Sequence, residues 1–195
     1  MFTRLRKLSL LALVVLAAIA FGACGDSHTR VSTGTYAGES GKNAPYLNVG
    51  RLVYEVQLSR ELNPYDTEDA QYLQGLMPEQ RKLEAGQEWF GVFVQVYNDN
   101  SRPLPTASDF TITDTQENIY TPIVPGPTNQ FAYHAGSVPG NGRVPELDTV
   151  AANGPTQGAL LLFKIPVVSL DNRPLTFKIV DPTDAAQTAS AELDV

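Results

Sequence analysis

The chain has 195 residues, and its formal charge of -7 becomes about -10 once three basic residues near the N-terminus leave with a leader, so that about 11 basic face 21 acidic side chains. A surface this acidic, with no Lys/Arg run after Lys7, excludes the electrostatic footprint of a nucleic-acid binder. The single cysteine excludes an intrachain disulfide, and the roughly 172 residues behind the leader suit one domain with a full hydrophobic core better than two.

The N-terminus reads as a secretory signal. Arg4, Arg6 and Lys7 form a positive n-region, and residues 8–20 form an apolar stretch shorter than the roughly 20 residues a membrane-spanning helix needs. The stretch ends in Phe21-Gly22-Ala23-Cys24, which resembles the bacterial lipobox. That resemblance implies diacylglycerol on Cys24 and cleavage before it, making 1–23 a lipoprotein signal peptide and giving the protein a lipid anchor in the cell membrane or envelope. Each methylene buried in the bilayer contributes about 0.8 kcal/mol, so two or three acyl chains hold firmly. The alternative is cleavage after Ala18-Ile19-Ala20, which would release a soluble protein with a free thiol. Behind Cys24 the chain to residue 44 is rich in Ser, Gly and Thr and reads as a flexible tether, with His28 a solvated residue in it.

Residues 45–195 form the folded domain. In 46–58, Leu52, Tyr54, Val56 and Leu58 alternate with Arg51, Glu55 and Gln57, the pattern of a half-buried strand. Asn63-Pro64 ends it. Asp66 or Thr67 can then cap one short helix, with Glu68 and Asp69 in its first turn, Tyr72, Leu73 and Leu76 on one face, and Gly75 and Pro78 limiting its length. Residues 80–87 are charged and lead into WFGVFVQVY, 89–97. Phe90, Val92, Val94 and Val96 lie on one side of this stretch. Trp89, Gly91, Phe93, Gln95 and Tyr97 make the other side too apolar for open solvent, so it is read as a central strand covered on both faces.

A turn cluster at 98–103 follows. Phe110 and Ile112 begin a hairpin that returns through 114–118 to Ile119-Tyr120-Thr121, and 122–158 is a long Gly- and Pro-rich loop with one or two short ordered pieces. Leu161, Phe163 and Ile165 face one way and Leu160 and Leu162 the other, a second strand apolar on both sides. Leu175, Phe177 and Ile179, and then Ala189, Ala191, Leu193 and Val195, mark two more strands, the last running to the final residue. About seven short strands and one helical insert predict an all-β, two-sheet antiparallel sandwich, with a barrel as the alternative.

Three stretches carry a family resemblance: Val94-Gln95-Val96-Tyr97-Asn98-Asp99-Asn100-Ser101-Arg102-Pro103, Asp109-Phe110-Thr111-Ile112-Thr113-Asp114, and Gly154-Pro155-Thr156-Gln157-Gly158-Ala159-Leu160-Leu161-Leu162-Phe163-Lys164-Ile165-Pro166. Together they resemble the pattern of small secreted bacterial immunoglobulin-like domains, whose best-known relative is the mycobacterial immunoprotective extracellular antigen with its telokin-like sandwich. The resemblance covers 46–195 and implies an immunoglobulin-like fold outside the cell. It brings no catalytic residues. The insert at 63–87 and the proline-rich loop depart from the minimal pattern.

Chemistry-bearing motifs are sparse. Asp99 between Asn98 and Asn100 falls short of the six to eight oxygens calcium takes, so these residues are read as turn formers and no metal is expected. His134 is the one histidine of the folded domain, and there is no nucleophile elbow, no histidine pair at metal spacing and no phosphate-cradling glycine loop, so a non-catalytic protein without cofactor is expected. Phe131, Tyr133 and His134 among the glycines and prolines of the long loop form the candidate binding loop; the competing reading has Phe131 and Tyr133 folding down as a lid over Trp89 and Phe93. Two non-enzymatic functions remain, with a hydrolase using a pair of carboxylates as the third alternative. One is a binding module for an envelope protein, glycan or small ligand, which exposed loop aromatics would favour; the other is an accessory part of an envelope assembly, which an apolar sheet face would favour.

Overall fold

The computed structural model describes residues 46–193. The expected signal peptide, Cys24 with the expected tether, and the expected strand end at Val195 lie outside the described residues. The described strands are β1 (Tyr46–Val49), β2 (Leu52–Leu62), β3 (Gln87–Tyr97), β4 (Leu104–Pro105), β5 (Asp109–Thr113), β6 (Ile119–Tyr120), β7 (Ser137–Val138), β8 (Arg143–Val144), β9 (Ala159–Pro166), β10 (Leu175–Val180) and β11 (Thr188–Leu193). The helical turns are α1 (Asp69–Tyr72), α2 (Pro78–Arg81), α3 (Val150–Asn153) and a 3-10 turn, Val167–Leu170. One sheet runs β1-β2-β3, with β9 along most of the far edge of β3 and β8 at its end; the other runs β11-β10-β5-β6, and β4 pairs with β7. Every pairing between these strands is antiparallel. This is the expected all-β sandwich, with four two-residue strands added to the seven longer ones.

The core follows from strand parity. Phe90, Val92, Val94 and Val96 of β3 meet Phe110 and Ile112 of β5 and Phe177 and Ile179 of β10 across the gap between the sheets. The ring of Phe110 stacks on Phe177 with centroids 5.9 Å apart and stands edge-on to Tyr133 at 5.1 Å. Both faces of β3 are buried, and its central position, between β2 on one edge and β9 and β8 on the other, is the one expected from its sequence.

The first strand differs from its expectation in two ways. Residues 46–58 are the start of a hairpin, turned at Gly50 and Arg51 between β1 and β2. Gly50 sits at φ +57°, and a Cβ there would run into the Asp181 carboxylate, so this turn requires glycine. A bulge between Val56 and Leu58 then reverses the parity of β2. Leu58 therefore leaves the face of Tyr54 and Val56 and packs on the outer side of the sheet. Glu55, expected at the surface, is buried beneath its hydrogen bond from the Tyr97 hydroxyl.

The hairpin of β5 and β6 turns as expected at 114–118, around Asp114. Burial alone would raise the pKa of this carboxyl, but hydrogen bonds from the Asn118 side chain and backbone and from the Gln116 amide outweigh it and hold it down at about 2. A folded pKa below the unfolded one stabilises the fold above the unfolded value near 4, and that contribution is lost as pH falls toward about 2. Melting temperature should thus decline less steeply through this window in Asp114→Asn than in the parent. Parallel declines would assign the acid sensitivity to other groups.

Residues 63–86 form two four-residue helical turns where one short helix was expected. Pro78 opens the second, because its fixed φ suits the first helical position but cannot continue the preceding turn. Asp66 does act as a cap, accepting from the amides of Glu68 and Asp69. A two-point pair between Arg60 and Asp69 fastens α1 to β2, and Asp69 Oδ2 also accepts from the Asn63 amide at 2.8 Å. The insert lies over the outer face of β3 and β9, where Leu62, Tyr72, Leu76, Trp89, Phe93, Leu160 and Leu162 form a second apolar cluster.

Candidate functional site

The long connection 122–158 has structural work that explains its length. It runs beside β9 and satisfies the outer edge of that strand: Ile123 N donates to Leu162 O, Tyr133 N to Leu160 O, and Leu160 N to Phe131 O. A strand edge that would otherwise offer unpaired amides is closed by the chain itself. Asn129, buried in this segment, donates to the carbonyls of Tyr72 and Gln74 at 2.8 and 2.9 Å and accepts from the amides of Phe131 and Ala132. One amide side chain thereby joins the loop to the insert with all its hydrogen-bonding groups used.

The residues of the candidate binding loop part company here. Phe131 is half-buried and stands edge-on to Tyr72 at 4.9 Å, in the same outer cluster as Trp89 and Phe93, as the lid reading expected. Tyr133 goes instead into the main core, where its hydroxyl donates to Ala107 O at 2.9 Å. Tyr54 accepts from Ala107 N at 2.7 Å, so two buried phenols bracket one residue; burial pushes the Tyr54 pKa up to about 12 and keeps its proton on. Only His134 of the three is exposed. Cys24 lies outside the described residues.

A cavity of about 520 Å³ opens between the insert and the outer sheet face. Its floor is Trp89, its sides are Leu73 and Leu83, and its rim carries Tyr65, Gln74 and Arg81. That volume lies within the range of small-molecule sites. The Tyr65 ring is 95% exposed at the rim, whereas Trp89 is 2% exposed and carries the Lys164 ammonium 5.1 Å from its ring centroid. Lys164 is in turn held by the Lys82 carbonyl at 2.7 Å. The sequence reading placed Trp89 on a covered face but did not bring Tyr65, Arg81 and Leu83 to it. The available signal was the insert itself, delivered in the chain just before the one tryptophan.

A smaller hollow, about 340 Å³, lies at the β8 end of the same face and includes Tyr97, Asp99, Arg143 and Glu146. Beside it the Tyr97 hydroxyl is 2.8 Å from Glu55 Oε2 and 2.6 Å from Gln95 Oε1, and Gln95 also accepts from Arg143 at 2.7 Å. Burial, reinforced by Glu55, raises the Tyr97 pKa, so this phenol is a hydrogen-bond donor rather than a base. Among the described residues no three His, Cys, Asp or Glu side chains converge as a metal site requires. Asn98 donates to the carbonyls of Arg102, Val138 and Pro139, and its Oδ1 accepts from the Asn100 amide, the turn-forming role expected of it.

No family model and no curated protein matches the chain. Solved structures do. The yjhA protein of Bacillus subtilis is 12% identical with a TM-score of 0.50, over 83% of this chain and 100% of that one. The candidate lipoprotein ycdA of Bacillus subtilis is 11% identical at 0.44, and an uncharacterized β-sandwich protein of Clostridium difficile is 9% identical at 0.44. The first matches 76% of this chain but 38% of its own, the second 86% and 97%. At such identities the likeness to yjhA shows a shared fold and nothing about activity. Among the described residues no helix is long and apolar enough to cross a membrane.

Proposed function

We propose that this protein is a lipid-anchored extracytoplasmic binding module, without catalytic activity of its own, that holds a ligand in the cavity between the insert and the outer sheet face. The observation that carries the reading is the cavity with an exposed aromatic, Tyr65, at its rim. An accessory subunit docked along the sheet would instead need that apolar face open, and here the protein's own insert and loop cover it. The anchor and the place among secreted immunoglobulin-like domains rest on the residues of the lipobox-like leader and the three strand motifs.

Cys24→Ser tests the anchor. The variant is expected to be left uncleaved or soluble and to leave the detergent phase for the aqueous phase, because the thiol that would carry the acyl chains is gone; equal partitioning with the parent would refute it. In that soluble form, Ala70→Trp tests the cavity. Ala70 is exposed on α1 and lines the opening, so an indole there fills the space without disturbing the core. Binding to isolated envelope material should weaken by about tenfold or more at an unchanged melting temperature. Undiminished binding would move the site elsewhere.

A further inference from the structure

We propose that the ligand of this cavity is a small organic anion, an apolar or aromatic body bearing one carboxylate, sulfonate or phosphate group directed at Arg81. The inference rests on reading the cavity as a binding site and adds the chemistry that site selects. Leu73 and Leu83 offer apolar surface over the buried Trp89 and Tyr65 a flat ring, so the body of the ligand is apolar.

Arg81 is the one charged residue lining the cavity, and its guanidinium has no hydrogen-bond or ion-pair partner among the described residues. Two other cations of this face are engaged, Arg60 by the Asp69 carboxylate and Lys164 by the Lys82 carbonyl. Lys164 also decides against a cationic ligand. Aromatic pockets commonly hold cations over a ring face, but here the protein's own ammonium lies over Trp89. A cationic ligand would meet Arg81 as a like charge, whereas an anion gains a charge-assisted hydrogen bond from the free guanidinium.

Trp89 is the only tryptophan of the chain and lines this cavity, so its fluorescence gives a single reporter there. The probes are 1-anilinonaphthalene-8-sulfonate and the neutral N-phenyl-1-naphthylamine, which share an aromatic body and differ in the charged group. Both should quench Trp89 saturably in the full protein. Arg81→Gln should weaken the sulfonate about five- to tenfold and leave the neutral probe unchanged, and Arg81→Lys should restore most of the loss. Arg81 is exposed on α2, and equal melting temperatures for the variants confirm that folding is intact.

If Arg81→Gln weakens both probes equally, or leaves the sulfonate untouched, the anion inference is overturned while the cavity remains a binding site. If neither probe quenches Trp89 saturably, the binding reading itself fails, and the anion inference with it.

Discussion

Val94→Asp should lower the melting temperature by about 10–20 °C. Val94 is 0% exposed, lies on β3 between Val56 of β2 and Ala159 of β9, and points into the gap between the sheets. A carboxylate there has neither water nor a cation, and it must stay charged at a heavy desolvation cost or take up a proton and remain an unpaired polar group. A cost of about 4–5 kcal/mol is a large share of the roughly 5–15 kcal/mol that holds a typical domain together, and for a chain of this size each kcal/mol moves the midpoint by about 2–4 °C. Thr111→Asp is the matched control. Thr111 is on the outer face of β5, directly opposite the exposed Lys178 of β10, so the new carboxylate gains a cross-strand cation worth about 0.2–1 kcal/mol. Calorimetric midpoints within a few degrees of each other for the two variants would refute the face assignment of one strand or both.

Asn129→Asp should be nearly as damaging, through hydrogen bonding rather than packing. The Asn129 amide nitrogen points at the carbonyls of Tyr72 and Gln74, at 2.8 and 2.9 Å, in a site 3% exposed. Aspartate is nearly isosteric, but it sets a carboxylate oxygen against those two carbonyls, with no donor between them. Burying an uncompensated charge in this way costs about 3–5 kcal/mol. The damage begins where the loop meets the insert, so the insert should loosen before the sandwich does. Trp89 lies beneath it, and its emission should move to the red as water reaches the indole. A variant that melts like the parent with unshifted emission would mean that Asn129 is not what clips the loop to the insert.

These two residues differ in how far the sequence reveals them. Val94 is legible because a strand alternates with period two, and a run such as WFGVFVQVY can bury both its faces only as a central strand. The same local rule located the hairpin around Asp114, the doubly apolar β9 and the paired β10 and β11, and with them the sandwich. Asn129 reads in sequence as one more loop asparagine. Its role depends on carbonyls 55 and 57 residues away in the chain, which no local pattern encodes.

Tertiary contacts likewise decided where the loop aromatics went. Phe131 and Tyr133 sit two residues apart in a Gly- and Pro-rich segment. The edge of β9 draws this chain past it, and one ring packs on the outer cluster while the other enters the core. A bulge in β2 moved Leu58 to the opposite face without a sequence signal. The cavity belongs to the same class of fact. Tyr65, Arg81 and Trp89 are spread over 25 positions of the chain and meet because α1 and α2 fold back over the sheet, fastened by Arg60, Asp69 and Asn129. By itself the sequence determined the alternation that makes two sheets and the net negative charge of the chain. Which side chains share the cavity was decided by tertiary structure alone, because their meeting depends on long-range hydrogen bonds and an ion pair that exist only once the sheets are assembled.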